Sequence, residues 1–282
     1  MSSNKDKDVY VLGEIIHNPQ EIQRLIDVNL KTIELDKLNT IDRNKSVVII
    51  RAHGEPPHTF HLFKEFGLEF IDATCPLVKG LQNKIKIFHK NNDCDWQIII
   101  FGKKNHPEVI GLSGYCDNIC LIAADIDEII DKIDYKKNTV VFSQTTMNAN
   151  SYINFQSDLK NQFLANNSVL GLVGSGGSYT CGDIKLVIQD SVCKFMKKRD
   201  SALEEFAVNN DLVIFVAGRS SSNGKVLFSI CKEFNPNSIF IEHFWELDIN
   251  VVRNFRSIGI TGATSTPKWY IENIKERLVV VL

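Results

Sequence analysis

The sequence predicts an α/β protein built on mostly parallel sheets. Three observations carry this. Short β-branched runs alternate with longer stretches of helical apolar spacing, several of those runs are apolar throughout, and most end in small polar, imidazole or thiol residues. A continuous apolar run marks a strand covered on both faces, the usual condition of a parallel sheet. Ten such runs would make one very wide sheet, so two or three smaller ones are expected.

In chain order the predicted strands are residues 9–12, 47–50, 69–71, 98–101, 119–122, 140–143, 169–173, 212–216, 238–241 and 258–260. Each is a short run rich in Val, Ile and Phe, bounded by turn formers. The predicted helices are residues 20–28, 58–66, 77–90, 150–164, 183–208, 224–233 and 268–278, where apolar positions recur at three- and four-residue spacing. The chain has 282 residues, which suggests two domains or more if they are small.

Composition narrows the class. Hydrophobic residues are 44% and charged residues 23%, ordinary globular usage that excludes disordered and collagen-like chains. Lys plus Arg (32) nearly balances Asp plus Glu (34), so nothing resembles the basic footprint of a nucleic-acid binder. No run reaches the ~20 apolar residues that span a bilayer. The start, MSSNKDKD, has no apolar core of a secretory signal. Seven cysteines, an odd number, do not suggest a disulfide framework and fit a reducing, cytoplasmic setting.

The strand ends carry the chemistry. Six runs lead into R-A-H-G, D-A-T-C-P, G-K-K-N-H-P-E, Q-T-T, A-G-R-S-S-S-N and T-G-A-T-S-T-P. Ligands of open parallel sheets bind beyond the carboxyl ends of the strands. His17, His53, His106, Thr145, Ser221, Ser222, Asn223 and Ser265 form a set of hydrogen-bond donors suited to a compact polyanion, since phosphate oxygens accept many donors. Taken singly, each Ser or Thr also reads as a helix N-cap and each His as a structural residue. Glu108, two residues after His106, reads either as a helix-dipole partner or as a proton relay beside an anionic ligand. Cys75 and Cys193 belong to no C-x-x-C pair, and burial alone would account for any of the seven cysteines. Cys116 and Cys120 flank a turn, where packing is the expected role. His58, His61, His89 and His243 read as surface or packing residues.

The strings GEIIHNP (13–19), RAHG (51–54), DATCPLV (72–78), HPEVIG (106–111), SQTT (143–146), SSSN (220–223) and GITGATSTP (259–267) occur in this order. Together they resemble the motifs of the 4-hydroxy-3-methylbut-2-enyl diphosphate reductase family. That resemblance, over about residues 9–280, implies a trefoil-like arrangement of three small α/β domains around a central site, here 1–75, 76–190 and 191–282. It implies a 4Fe–4S cluster and the reductive removal of an allylic hydroxyl, giving isopentenyl and dimethylallyl diphosphate. It implies that the donor set holds the diphosphate, that Glu108 delivers a proton, and that Cys75 and Cys193 are two of three cluster ligands. Cys193 is preferred to Cys181 because its interval to the Ser-Ser-Asn motif fits. The electron donor it implies is a small ferredoxin- or flavodoxin-like protein. The family's opening strand, with a Gly-Phe-Cys-type motif and the first cluster cysteine, has no counterpart before Cys75. The expectation is either a missing N-terminal segment, leaving a fragment, or a degenerate relative that binds diphosphate without a cluster. Residues 168–181, with VGSGGS, read as an insertion. It resembles a phosphate loop only weakly, and an exposed flexible loop is expected.

Overall fold

The computed structural model describes residues 7–16, 18–92, 96–167, 173–175, 177–181 and 183–282. Strands β1 (Asp8–Leu12), β2 (Leu30–Ile33), β3 (Ser46–Ile50) and β4 (Glu69–Asp72) form a sheet of order β2-β1-β3-β4. A second sheet has the order β6-β5-β7-β10-β9-β8, from β5 (Trp96–Phe101), β6 (Leu121–Ala123), β7 (Asn138–Ser143), β8 (Val173–Ser175), β9 (Ser178–Cys181) and β10 (Ile184–Ile188). The third is β12-β11-β13, from β11 (Leu212–Val216), β12 (Ser238–Ile241) and β13 (Ile258–Gly262). The helices are α1 (Pro19–Asp27), α2 (Pro57–Glu65), α3 (Pro76–Asn91), α4 (Pro107–Ser113), α5 (Ala149–Asn167), α6 (Lys194–Val208), α7 (Ser222–Phe234), α8 (Ile249–Val252) and α9 (Lys268–Val281).

By compactness the chain divides into Met1–Gly13 with Ile33–Cys193, and Glu14–Thr32 with Lys194–Leu282. In the first unit, β3 pairs parallel with β1 and β4, and β7 pairs parallel with β5 and β10. The run Ile98–Phe101 shows why such strands are apolar throughout. Ile98 and Ile100 enter a core with Ile85 and Leu112 on one face, and Ile99 and Phe101 enter another with Phe155 and Leu159. The second unit repeats this pattern. Leu212, Ile214 and Val216 face Ile274 of α9, whereas Val213 and Phe215 face Leu203 of α6 and Leu227 of α7. Each such side chain, fully removed from water, contributes ~1.5–3 kcal/mol.

Proline sets the helix starts. Pro19, Pro57, Pro76 and Pro107 open α1, α2, α3 and α4, where a missing N–H costs nothing. The ring also excludes the helical region for the preceding residue. Asn18, Cys75 and His106 accordingly have ψ of 108°, 131° and 133°. A strand, an extended polar residue and a proline-started helix thus succeed one another, leaving that polar residue at the sheet's edge.

Two expectations are corrected. Residues 183–208 are not one helix: I-K-L-V-I forms β10, pairing parallel with β7, and the helix begins only at Lys194. Leu186 is fully buried there, in a run too short for periodicity to distinguish strand from helix. The Gly-rich stretch, in its described part, is not an irregular loop. β8 and β9 make an antiparallel hairpin that extends the sheet through β10. Gly177 in its turn has φ +89°, and a Cβ there would lie 2.4 Å from the Ile188 carbonyl oxygen. Strand 169–173 lies outside the described residues except for Val173. Strand β2, short and half-exposed, has no clear signal in its sequence. Among the described residues, no helix is long and apolar enough to cross a membrane.

Candidate functional site

In the first unit, the polar residues beyond the strand ends form one connected series. After β3, the chain turns through Arg51–Gly54, where Gly54 has φ +73°. After β4, Asp72 shapes the next turn by accepting from the Thr74 N–H at 3.1 Å, and its other oxygen meets Lys79 Nζ at 2.6 Å. This delivers Cys75 to the N-cap of α3, with the Cys75 N–H donating to the Ala52 carbonyl at 3.0 Å. His53, next along, meets His106 edge to face, with ring centroids 5.3 Å apart.

His106 caps α4. Its Nδ1 accepts from the Glu108 N–H at 3.2 Å, so in the neutral imidazole Nε2 carries the proton and is a donor. Glu108, 1% exposed, accepts from the Thr145 N–H at 2.7 Å. Burial pushes its carboxyl up to about 7, although hydrogen bonds from the Thr145 backbone and hydroxyl oppose the rise. The Thr145 carbonyl in turn accepts from the Cys193 N–H at 2.9 Å. Cys75 and Cys193, both half-buried free thiols, therefore stand at the two ends of a series whose middle is a buried carboxyl that burial pushes up to about 7.

Two glycines and a buried amide hold this series together. A Cβ on Gly54 would lie 2.4 Å from Gln82 Nε2, and one on Gly111 would lie 3.3 Å from the Gly54 carbonyl oxygen. Loop 51–55, α3 and α4 thus interlock directly behind His53 and Glu108. A Gly54→Ala variant, forced into the left-handed region, is expected to lose ~1–2 kcal/mol of stability. Urea unfolding monitored by circular dichroism would read this as a lower midpoint.

In the second unit, the chain beyond β11 reaches Ser221, 2% exposed, whose Oγ accepts from the Gly224 N–H at 3.0 Å and so caps α7. The same oxygen lies 3.5 Å from Ser265 Oγ, beyond the end of β13. Asn223 Nδ2 donates to Thr264 Oγ1 at 2.7 Å. Arg199 donates to Thr264 Oγ1 at 3.0 Å and to the Gly262 carbonyl at 2.6 Å, and its partial desolvation holds its pKa down. Ser221, Asn223 and Ser265 are therefore neighbours on one sheet edge. Helix α1 is tied to this unit where Gln20 Nε2 donates to His243 Nδ1 at 2.7 Å and Trp269 Nε1 donates to Glu21 at 2.8 Å. His17 lies outside the described residues, as does the Ser222 side chain.

Sequence reasoning missed several contributors. Gln144, 2% exposed inside the SQTT string, accepts from the Lys103 N–H at 3.2 Å and donates to Thr146. Thr264 lies within the GITGATSTP string and could have been named from it. Gln82 and Arg199 had no local signal, because only packing brings them to these loops.

Two cysteines are the donor chemistry that iron–sulfur clusters take. No group of three His, Cys, Asp or Glu side chains able to hold a metal ion occurs among the described residues. Cys75 and Cys193 thus fit as part of a cluster's ligand set and do not complete one.

Comparison with known proteins places these strings in context. A family model described as LytB protein matches residues 1–279. The 4-hydroxy-3-methylbut-2-enyl diphosphate reductase of Chloroherpeton thalassium is 40% identical over 282 residues, spanning 96% of this chain and 86% of that protein. The enzyme of the same name from Bacteroides fragilis is 37% identical over 275 residues, spanning 97% of this chain and 88% of its own. A solved structure of (E)-4-hydroxy-3-methyl-but-2-enyl diphosphate reductase, the terminal enzyme of the non-mevalonate pathway, matches with a TM-score of 0.70 and 28% identity, covering 99% of this chain and 90% of that one. The E-1-hydroxy-2-methyl-but-2-enyl-4-diphosphate reductase from Plasmodium falciparum matches at 0.76 and 26%, covering 97% and 79%.

Proposed function

The chain belongs to the LytB protein family, and from that membership we propose that it catalyses the reductive dehydroxylation of (E)-4-hydroxy-3-methylbut-2-enyl diphosphate. The substrate gains two electrons and two protons and loses its allylic hydroxyl as water, leaving isopentenyl and dimethylallyl diphosphate. The observation that carries the reading is the series from Cys75 through His53, His106, Glu108 and Thr145 to Cys193, with a buried carboxyl of raised pKa at its centre.

A 4Fe–4S cluster, held by Cys75, Cys193 and a further ligand, supplies the electrons when bound. The protein's own residues do the rest. Glu108 holds the proton that converts hydroxide, a poor leaving group, into water. Thr145 orients that carboxyl through its backbone N–H. His106, fixed by its bond to the Glu108 N–H, presents Nε2–H as a donor, and His53 braces the His106 ring. The donors His17, His53, His106, Thr145, Ser221, Ser222, Asn223 and Ser265 bind the diphosphate, which orients the substrate without redox work. The N-terminus of α7 adds its N–H groups to that grip. Electrons arrive from a small ferredoxin- or flavodoxin-like protein in the cytoplasm.

The test is anaerobic. Protein supplied with iron and sulfide is mixed with the substrate and a reduced viologen dye. The expected result is dye bleaching that requires the substrate, with both five-carbon diphosphates recovered. Substrate binding without bleaching by an iron-loaded protein would overturn the redox reading and leave a diphosphate binder.

A further inference from the structure

Cys116 and Cys120 lie apart from the series between Cys75 and Cys193, between the end of α4 and the start of β6. Spacing alone suggested packing, but the local geometry does more. Asp117 and Asn118 both adopt left-handed backbone, with φ of 50° and 60°. The Asn118 N–H donates to the Ser113 carbonyl at 3.0 Å and the Ile119 N–H to the Cys116 carbonyl at 3.0 Å. Ser113 Oγ closes the turn by donating to Asn118 Oδ1 at 3.0 Å. This tight turn folds Cys120 back onto Cys116, so that the two side chains share one apolar cluster.

The two sulfurs are not equivalent. Cys116 is fully buried, and its S–H donates to the Ser113 carbonyl at 3.3 Å. Cys120 is half-buried. We propose that Cys116 and Cys120 form a reversible dithiol–disulfide site, with Cys120 as the thiol that reacts with an external low-molecular-weight disulfide and Cys116 as the resolving thiol. Cys120 is the more accessible thiol, and the interaction between the two sulfurs lowers its pKa and raises that of Cys116, which makes Cys120 the nucleophile.

The chemistry balances in two exchanges. The Cys120 thiolate attacks the external disulfide, forming a mixed disulfide and releasing one thiolate. Cys116 then gives up its proton and attacks the Cys120 sulfur, closing the Cys116–Cys120 bond and releasing the second thiol. The two cysteines lose two electrons and the external disulfide gains them. The product ties the end of α4, the helix that carries Glu108, to the start of β6.

The experiment treats the full-length protein with oxidised glutathione under argon, blocks remaining thiols by alkylation, and weighs the tryptic peptide Asn105–Lys132, whose cysteines are Cys116 and Cys120 alone. The expected wild-type peptide is unalkylated and lighter by two hydrogens, and it becomes doubly alkylated after reduction. Cys116→Ser is expected to trap a glutathione adduct on Cys120, and Cys120→Ser is expected to carry none. A wild-type peptide that stays doubly alkylated, or that ends as a stable glutathione adduct, would overturn the proposal. So would a Cys120→Ser protein that is modified at Cys116, because the order of attack would then be wrong.

Discussion

A Glu108→Gln variant is expected to bind the diphosphate substrate within a few fold of wild type and to lose roughly 10²–10⁴-fold in kcat. The amide keeps the shape of the side chain and an oxygen to accept the Thr145 N–H, but it has no acidic proton to give. The pH profile separates this from a structural defect. Because burial pushes the Glu108 carboxyl up to about 7, the proton-donating form is present below that pH, and wild-type kcat should fall as pH rises through about 7. The residual activity of the variant should lack that inflection. A variant that retains kcat, or a wild-type profile flat from pH 6 to pH 8, would remove Glu108 from the reaction.

Stability moves with the same proton. The folded protein holds this proton up to about 7, whereas the unfolded chain releases it near the ordinary 4.5. The contribution is therefore fully present below the unfolded value and is lost as pH rises through the folded one. A rise of that size corresponds to about 3 kcal/mol. Between pH 5 and pH 8, wild type should lose more unfolding free energy than Glu108→Gln, and urea denaturation of both proteins at the two pH values measures the difference. An acid that must be buried to keep its proton at neutral pH thus costs stability there.

The second large effect concerns the thiols. Cys75→Ser and Cys193→Ser are each expected to abolish bound iron and turnover while leaving the unfolding midpoint of the metal-free protein close to wild type. Both side chains are half-buried, so exchanging sulfur for oxygen disturbs packing little. A hydroxyl is, however, a poor substitute for thiolate toward iron–sulfur clusters. Cys231→Ala is the contrasting case. That thiol is fully buried beside Leu203 and Leu227, and burial pushes it up to about 11. Its loss should lower stability by ~1 kcal/mol through the small cavity left behind, with iron content unchanged. Iron retained at wild-type level in Cys75→Ser or Cys193→Ser would show that the thiol concerned is not a ligand.

The amino-acid sequence by itself determined what depends on near neighbours in the chain. The apolar runs at 98–101 and 212–216 are strands buried on both faces, and the Asn-Pro, Cys-Pro and His-Pro pairs leave an extended polar residue ahead of a helix. These are steric and burial rules acting over a few residues, so the polar residues at the strand ends were legible before any packing was known. What only the tertiary structure decided involves partners far along the chain. Strand β10 reads as helix until β7, more than forty residues earlier, offers it a ladder. The Glu108 carboxyl is pushed up to about 7 because core segments distant in the chain remove it from water, which no pattern around position 108 encodes. Arg199 reaches Thr264 and Gln82 reaches Gly54 across long separations of the same kind. Local sterics act on dihedral angles one residue at a time, whereas desolvation and hydrogen-bond partnership arise only when distant segments are brought together, and the chemistry depends on the latter.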